Sequence, residues 1–237
     1  MGILLSQIPV AILAGGLATR LRPITEKIPK SLAPVAGKPF LARQLELLHS
    51  RGIRRAVLCV GHLGEMIERD FGDGASFGVK LDYSFDGPKL LGTGGAIKRA
   101  LPLLGEEFFV LYGDSYLPVE YPPVAEFFQA SGKPALMTVY RNEGKFDTSN
   151  VVFADGEIKI YDKKLKLPEM HYVDYGLSML RPSVFEHYGD GQAFDLAELM
   201  GRLAREKNLA GYEVHERFYE IGSPTGLAEL ERILRRA

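Results

Sequence analysis

Residues 9–30 read Pro-Val-Ala-Ile-Leu-Ala-Gly-Gly-Leu-Ala-Thr-Arg-Leu-Arg-Pro-Ile-Thr-Glu-Lys-Ile-Pro-Lys, and the rest of the chain can be interpreted from them. The first six residues form an apolar run of strand length that stops at Gly15 and Gly16. Because glycine has no Cβ, the backbone can turn sharply there and present its N–H groups to a ligand. Hydroxyl and cationic side chains follow at Thr19, Arg20, Arg22, Lys27 and Lys30. N–H donors beside fixed cations suit a polyphosphate, so the stretch predicts a phosphate-binding loop after the first strand.

Two familiar phosphate-binding loops do not fit this stretch. A Walker loop ends in Gly-Lys-Ser/Thr, but Gly37-Lys38 is followed by Pro39. A dinucleotide fingerprint needs G-x-G-x-x-G, and the run that starts at Gly16 has Ala18 and Leu21 where glycines belong. The alternative is an ordinary turn with a solvated basic face, which the length of the pattern and its residue types disfavour.

The stretch resembles the signature of the sugar-1-phosphate nucleotidylyltransferases, G-G-x-G-T-R-L-x-P-x-T followed by Pro-Lys. The matching residues are Gly15, Gly16, Thr19, Arg20, Leu21, Pro23, Thr25, Pro29 and Lys30. Ala18 departs from the pattern, since the family usually has a third glycine there. Its methyl group narrows the approach to the phosphates, and we interpret this as a tolerated change.

Composition limits the other function classes. The 237 residues, 46% of them hydrophobic and 25% charged, suit one domain with a substantial core. A formal net charge of −1 gives no overall attraction to nucleic acid or to a membrane surface, so neither is an expected partner. Cys59 is the one cysteine and lies in an apolar run, which predicts buried packing. With no basic leader segment and no apolar run of membrane-spanning length, we expect a cytoplasmic protein.

Strand patterns alternate with helix patterns through the first half of the chain. Strands are predicted at 55–60, 79–85 and 108–112, and helices at 38–52, 64–71 and 94–104. This order predicts an α/β fold, a Rossmann-like three-layer sandwich with a mostly parallel mixed central sheet. The family resemblance implies the GT-A-like form of that fold.

The second half has more strands and fewer helices. Strands are predicted at 135–141, 151–153, 158–161 and 172–180, and helices at 194–207 and 224–235. We expect one domain over residues 1–237, with a nucleotide-binding half (1–133) and a sugar-phosphate-binding half that includes the C-terminal helix (134–237).

Three segments follow predicted strands and should meet at one edge of the sheet: the phosphate loop, residues 86–95 and Gly113-Asp114. A carboxylate at the end of a buried strand, facing a polyphosphate, suits Mg²⁺, although an aspartate that caps the next segment is the alternative. The resemblance implies that Asp114 is the metal-binding aspartate. It also implies a second ligand at Glu220, in Phe-Tyr-Glu-Ile-Gly-Ser-Pro, where the family usually has aspartate. The longer Glu220 side chain would shift the metal or act through a bound water.

Residues 91–96, Leu-Gly-Thr-Gly-Gly-Ala, form a second glycine-rich loop. A glycine-rich loop alone is equally typical of a tight turn, but the resemblance implies that this one passes over the nucleoside. The resemblance also implies that the position that helps to choose the base lies near Asp86, where several thymidylyl- or uridylyl-transferring members have glutamine. An acidic residue there could accept hydrogen bonds from the N1–H and N2 amino group of guanine, which favours GTP. The predicted nucleotide-binding residues are therefore Leu13, Ala14, Gly15, Gly16, Ala18, Thr19, Asp86, Gly92, Gly94 and Gly95.

Asp162-Lys163 resembles the family's Glu-Lys pair, which implies that Lys163 binds the sugar phosphate and Asp162 its hydroxyls. The register between Lys163 and Lys164 stays open, as does a purely solvated lysine face. Residues 172–176 take the place of the family's N-x-G segment, so Tyr175 and Gly176 are also predicted to contact the sugar phosphate.

The predicted reaction is an in-line displacement in which a sugar 1-phosphate attacks the α-phosphorus of a nucleoside triphosphate. It needs positioned charge rather than a general base, in agreement with the lack of any Ser-His pattern. Implied catalytic residues are Arg20, Lys30, Asp114 and Lys163, with Mg²⁺ on Asp114 and Glu220.

Within the family, the chain most resembles D-glycero-D-manno-heptose 1-phosphate guanylyltransferases. Mannose-1-phosphate guanylyltransferases and N-acetylmuramate-1-phosphate uridylyltransferases are close competitors, and a thymidylyltransferase of the family stays open too.

A metal-dependent glycosyltransferase would be expected to show D-x-D, and Gly113-Asp114-Ser115-Tyr116 has one acid. A regulatory relative without activity would explain Ala18 and Glu220 but not Arg20, Lys30 and Asp114. Assembly into a homo-oligomer stays open.

Overall fold

The computed structural model describes residues 4–16 and 27–236 of the chain, and within them a nine-stranded sheet lies at the centre of the molecule. In chain order the elements are β1 (Val10–Leu13), β2 (Pro34–Val35), β3 (Lys38–Pro39), α1 (Phe40–Ser50), β4 (Arg55–Val60), α2 (Gly64–Phe71), β5 (Lys80–Phe85), α3 (Gly92–Leu104), β6 (Phe108–Tyr112), β7 (Ser115–Tyr116), α4 (Tyr121–Ser131), β8 (Ala135–Arg141), β9 (Val151–Ala154), β10 (Glu157–Tyr161), β11 (Tyr172–Leu180), α5 (Leu196–Arg205), β12 (Leu209–Val214), β13 (Tyr219–Glu220) and α6 (Pro224–Leu234). None of the helices in these ranges has the length and apolar character needed to cross a membrane.

The strand order of the main sheet is β5-β4-β1-β6-β11-β8-β12-β10-β9. Strands β5, β4, β1 and β6 are parallel to one another, so their carboxyl ends share one edge. Strand β11 runs antiparallel between β6 and β8, and β12 is again parallel to β8. The predicted α/β class with a mixed sheet is therefore confirmed, and the two halves of the chain meet where β11 pairs with β6.

Both faces of the sheet are buried, as the apolar strands require. Along β1, the side chains of Val10 and Ile12 enter one core and that of Ala11 enters the other, since successive side chains point to opposite faces. Helices α1, α2 and α4 cover the first face, and α3 and α5 cover the second. This is the predicted three-layer sandwich.

The predicted elements differ from the structure in a few places. Helix α1 begins at Phe40 because Lys38-Pro39 pairs with Pro34-Val35 as a short ladder. Helix α3 begins at Gly92, two residues earlier than predicted. The sequence analysis missed α4, whose prolines occupy its first turn, where no N–H partner is lost. It also missed β12, where a Cβ on Gly211 would come within 2.6 Å of the Phe153 ring.

Candidate functional site

A cavity of about 240 Å³ lies at the carboxyl edge of β1, β4 and β6. We call it the first cavity. It brings together most of the predicted nucleotide-binding residues with two of the four predicted catalytic residues, Lys30 and Asp114. Those lining it are Leu13, Ala14, Gly15, Gly16, Asp86, Gly92, Lys30 and Asp114. The predicted residues Ala18, Thr19 and Arg20 lie outside the described part of the chain.

Gly94 and Gly95 do not line the first cavity, although both were predicted to contact the nucleotide. Their N–H groups donate to the carbonyl oxygen of Phe194 at 3.0 and 3.4 Å. A Cβ on Gly94 would come within 2.2 Å of the Phe194 ring, and one on Gly95 within 2.5 Å of the Gln192 carbonyl oxygen. In the structure these two glycines thus serve the close packing of α3 against residues 192–194, whereas Gly92 lines the cavity.

Asp86 follows β5 and is buried in the wall of the first cavity. Its Oδ2 accepts the N–H of Leu91 at 3.1 Å. Burial raises the pKa of this carboxyl, and the Leu91 hydrogen bond and the Arg99 charge partly oppose that effect.

Cys59 lines the same wall of the first cavity and is buried, as predicted. Burial raises the pKa of its thiol to about 12, and the nearby Asp86 charge adds to that rise. The thiol is therefore uncharged at neutral pH and acts in packing.

Lys30 and Asp114 form an ion pair across the first cavity, with Nζ 2.6 Å from Oδ2. Lys30 comes from the short helical turn Lys30–Leu32, and Asp114 follows β6. The side chains are 19% and 24% exposed, so a ligand in the cavity can reach both. The last lysine of the phosphate-loop motif and the predicted metal-binding aspartate are thus direct neighbours.

Glu220 is brought beside Asp114 by backbone pairing. Strands β7 and β13 pair so that Glu220 lies opposite Ser115, and the N–H of Ile221 donates to the Asp114 carbonyl oxygen at 2.9 Å. Both carboxylates line one further cavity. Two carboxylates beside a phosphate site fit Mg²⁺, which takes one or two protein carboxylates and completes its shell with water and phosphate oxygens. Within the described ranges no larger cluster of His, Cys, Asp and Glu suits a metal.

This second cavity has a volume of about 180 Å³ and shares Tyr112 and Asp114 with the first. Lys163 lines it, with its Nζ 5.7 Å from the centroid of the Tyr112 ring. Lys164 does not line it, so Lys163 is the lysine at this wall. Gly176 also lines it, and its φ of +97° falls where the β11–β8 register is broken.

Asp162 lies outside the second cavity, although it was predicted to contact the sugar. Its Oδ1 accepts the N–H groups of Lys164 and Leu165 at 2.7 and 3.0 Å. These two hydrogen bonds lower the pKa of the carboxyl. In the structure Asp162 shapes the turn that carries Lys163. Tyr175 lines the cavity, but it is 2% exposed and packs into the core against Phe218.

Asp174 lines the second cavity and was not singled out from the sequence. Its Oδ1 accepts the N–H of Gly176 at 3.0 Å, and its Oδ2 accepts the hydroxyl of Tyr161 at 3.2 Å. Burial raises the pKa of this carboxyl, and the Gly176 hydrogen bond and the Lys163 charge oppose the rise. Asp174 is the last paired residue before the register break in β11, which lies between Asp174 and Ser178, and no signal in the sequence marks it.

Gln44 is the second residue that sequence reasoning missed. It lies on α1 and is 1% exposed. Its Nε2 donates to the carbonyl oxygens of Tyr112 at 3.2 Å and Ser115 at 2.9 Å, on either side of Asp114. The amide therefore fixes the backbone that carries the aspartate. A polar residue inside the apolar stripe formed by Leu41, Leu45 and Leu48 is the sequence signal for it.

We expect Gln44→Leu to lower both stability and turnover. The leucine removes the amide donor from two partly buried carbonyls, which costs about 1–3 kcal/mol in the free energy of unfolding. Loss of the two hydrogen bonds also frees the Asp114 backbone, so we expect kcat to fall about tenfold and the Mg²⁺ concentration for half-maximal activity to rise.

Thermal denaturation and Mg²⁺ titrations of turnover measure these effects. The matched control is Gln129→Leu, which removes an exposed amide that donates to Glu107 at 3.0 Å on α4. A Gln44→Leu enzyme with unchanged kcat and unchanged Mg²⁺ dependence would show that the amide has no role in positioning Asp114.

The sequence matches the family model described as nucleotidyl transferase over residues 10–234. It is 32% identical over 201 residues to a UTP–glucose-1-phosphate uridylyltransferase of Synechocystis sp., covering 78% of this chain. The chain spans only about half of that relative's length, 52%. It is 30% identical over 214 residues to a D-glycero-alpha-D-manno-heptose 1-phosphate guanylyltransferase of Campylobacter jejuni, covering 90% of this chain and 94% of the relative.

Among solved structures, the chain resembles one described as a putative glucose-1-phosphate thymidylyltransferase from Bacillus anthracis. The TM-score is 0.82 at 20% sequence identity, with 97% of this chain and 96% of the other covered. At that identity the likeness shows the fold, and the predicted GT-A-like nucleotidyltransferase fold is confirmed.

Proposed function

The chain belongs to the nucleotidyl transferase family, and on that premise we propose that it makes a nucleotide sugar and pyrophosphate from GTP and a heptose or mannose 1-phosphate. The enzyme class predicted from the sequence, a sugar-1-phosphate nucleotidyltransferase, is confirmed by its relatives. The choice of nucleotide and sugar is the proposal. A uridylyl- or thymidylyltransferase acting on another sugar 1-phosphate is the second candidate, because the uridylyltransferase of Synechocystis sp. is 32% identical to this chain.

One observation carries the proposal: the two cavities adjoin, and Tyr112 and Asp114 belong to both walls. The first cavity has glycine backbone, Lys30 and Asp86, which suit a nucleoside triphosphate. The second has Lys163 and several carboxylates, which suit a phosphorylated sugar. The shared wall is where a phosphate group of one ligand would meet the α-phosphate of the other.

In the proposed reaction a phosphate oxygen of the sugar 1-phosphate attacks the α-phosphorus of the triphosphate. The bond from the α-phosphorus to the bridging oxygen breaks, and pyrophosphate leaves with that electron pair. Lys30 would donate to the α-phosphate and Lys163 would hold the attacking phosphate. The N–H groups of Gly15 and Gly16 would bind the departing pyrophosphate. Arg20 lies outside the described residues and stays predicted from the sequence to stabilise the same group. Positioned charge of this kind accounts for catalysis without a general base.

The family depends on a divalent metal, and we propose Mg²⁺ held by Asp114 and Glu220. When bound, the cation neutralises negative charge on the triphosphate. Binding of the metal by Asp114 would compete with its ion pair to Lys30. Lys30, whose Nζ lies 2.6 Å from Asp114 Oδ2, would then be available to the α-phosphate.

The proposal for GTP rests on Asp86. An ionised carboxylate can accept hydrogen bonds from the N1–H and N2 amino group of guanine, whereas uracil and thymine offer one N–H at the corresponding edge. We expect Asp86→Asn to lower kcat/KM for GTP by about 10- to 100-fold relative to UTP. Steady-state kinetics with both nucleotides measure this ratio. An unchanged ratio would remove Asp86 from base selection and favour the uridylyl alternative.

Nucleoside triphosphate and sugar 1-phosphate are the proposed partners. The absence of nucleic-acid binding, a homo-oligomeric state and a cytoplasmic location stay predictions from the sequence. The two-cavity arrangement is available within one copy of the chain, so the proposed reaction does not require an assembly.

The test is to incubate the protein with Mg²⁺, each of ATP, CTP, GTP, UTP and dTTP, and a panel of hexose and heptose 1-phosphates, and to measure pyrophosphate. We expect release with GTP and a manno-configured sugar. Release with UTP or dTTP alone would select the second candidate. No release, together with binding of a nucleotide sugar, would instead indicate a regulatory protein.

A further inference from the structure

The charges that line the second cavity indicate whether the sugar is neutral or acidic. This inference rests on the proposed function. Of the charged side chains that line it in the described part of the chain, four are carboxylates and one is the Lys163 ammonium. Asp114 and Glu220 are accounted for by the proposed metal. Asp147 and Asp174 are left beside the rest of the ligand. We propose that the sugar 1-phosphate carries no negative charge apart from its phosphate, and that Asp147 and Asp174 exclude sugars with a carboxylate.

Asp174 is held rigidly in the wall. The Tyr161 hydroxyl and the Gly176 N–H donate to different oxygens of its carboxyl group, at 3.2 and 3.0 Å, and the Asp174 N–H donates to Asn150 Oδ1 at 3.1 Å. A carboxylate fixed in this way cannot turn aside for an anion, but its remaining lone pairs can accept hydrogen bonds from sugar hydroxyl groups.

Asp147 is held by a loop, residues 142–149, that is built around Asn142. The Asn142 side chain is fully buried. Its Nδ2 donates to the Asp147 carbonyl oxygen at 2.5 Å, and its Oδ1 accepts the Phe146 N–H at 3.0 Å. The Thr148 N–H donates to Asp147 Oδ1 at 2.6 Å. The loop therefore fixes the second carboxylate at the rim of the cavity.

Two cations in or beside this loop already have carboxylate partners. Arg217 donates to both oxygens of Glu229, at 2.6 and 2.8 Å, and its guanidinium carbon lies 3.9 Å from the centroid of the Phe146 ring. Lys145 is 65% exposed and is paired with Glu143 at 3.4 Å. Arg217 thus packs against the loop. Lys163 is the ammonium that faces the cavity among the described residues, and the phosphate of the sugar would take it.

A carboxylate on the sugar would therefore meet two fixed carboxylates and no uncommitted cation of the described chain. Like charges in a site shielded from water repel, more at the partly buried Asp174 than at the exposed Asp147, whereas a hydroxymethyl group in the same place donates a hydrogen bond. The geometry consequently separates neutral sugars, such as hexoses and heptoses, from uronic acids and from sugars that carry a lactyl group.

The sharpest test uses sugar pairs that differ only at C6: glucose 1-phosphate with glucuronic acid 1-phosphate, and mannose 1-phosphate with mannuronic acid 1-phosphate. We expect kcat/KM for the neutral member of the preferred pair to exceed that for the acid by about 100-fold or more. In Asp174→Asn, which keeps the side-chain shape, we expect this ratio to shrink by about tenfold. The matched control Asp155→Asn, at an exposed turn with φ +55°, should leave the ratio unchanged.

The affinities of the same sugar 1-phosphate pairs, measured by isothermal titration calorimetry, separate failure of this inference from failure of the proposed function. Equal kcat/KM, or equal binding, for the neutral and acidic members would overturn the inference while leaving the nucleotidyltransferase proposal intact. Absence of turnover with every sugar would overturn the proposed function, and the binding ratio would still decide whether the second cavity selects neutral sugars.

Discussion

Asp114→Asn is expected to lower kcat/KM by about 1,000-fold with the fold preserved, which is the loss typical of removing one group that stabilises charge in a transition state. Asparagine has the shape of aspartate but no charge, so it weakens metal binding without opening a void. The Ile221 N–H still donates to the residue 114 carbonyl oxygen, because that contact uses backbone alone. The pairing of β7 with β13 is likewise independent of the side chain.

The ion pair with Lys30 is also lost in this variant, and its contribution to stability is small. Both side chains are about one-fifth exposed, at 19% and 24%, and ion pairs that water can reach contribute about 0–1 kcal/mol. We therefore expect the melting temperature to change by only a few degrees. The loss of turnover then reports on the chemistry rather than on unfolding.

Asp82→Asn is the matched control for Asp114→Asn. Asp82 is 25% exposed, and its carboxylate pairs with Arg55 at 3.6 Å and Lys80 at 3.6 Å, but it lines neither cavity. Steady-state kinetics at saturating Mg²⁺ should show near-normal turnover for Asp82→Asn. If Asp114→Asn were as active as this control, the carboxylate would have no part in metal binding, and the proposed mechanism would be wrong.

The sequence predicts the fold and the first cavity well because both depend on local patterns. Apolar runs of strand length alternate with helical periodicity, and glycines mark where strands end at the ligand edge. Gly15, Gly16 and Asp114 follow their strands directly, so their convergence follows from the parallel order of β1 and β6.

The parts of the site that the sequence did not predict depend on contacts between distant segments. Gln44 reaches the backbone of Tyr112 and Ser115 from another element, 68 and 71 residues away in the chain. Asp174 faces the second cavity because of a register break in β11, and Asn142 organises its loop through hydrogen bonds of its buried amide. The polar position of Gln44 in an apolar helical stripe is visible in the sequence, but its partners are not, and no propensity or short motif encodes the contacts of Asp174 and Asn142.

The glycines of residues 91–96 show that glycine can be required either for ligand contact or for close packing. A glycine-rich loop predicts ligand contact, and Gly92 lines the first cavity, but the close approach of residues 192–194 requires all three glycines. A Cβ on Gly92, whose φ is +70°, would lie 2.6 Å from the Phe194 carbonyl oxygen. The sequence cannot separate these two reasons for glycine, since both ask only for the absence of a Cβ.

Gly113→Ala is the second substitution with a large expected effect, and its effect is on stability. The Cβ would lie 2.5 Å from the Leu13 carbonyl oxygen and 3.2 Å from the Ala14 Cα. These are backbone atoms of the strand that pairs with β6, and the Gly113 N–H itself donates to that carbonyl oxygen at 3.0 Å. We expect the free energy of unfolding to fall by about 3 kcal/mol and the melting temperature by about 10 °C.

Gly189→Ala is the control for Gly113→Ala, because the nearest atom to its added Cβ is the flexible Gln192 side chain at 3.7 Å. Thermal and denaturant unfolding of both variants should show a large loss for Gly113→Ala alone. Relief of the clash requires β1 and β6 to separate at their carboxyl ends, which would also move Asp114 away from Lys30. Unaltered stability of Gly113→Ala would mean that the ends of β1 and β6 move apart without a loss of stability, and that their packing does not fix Asp114 relative to Gly15.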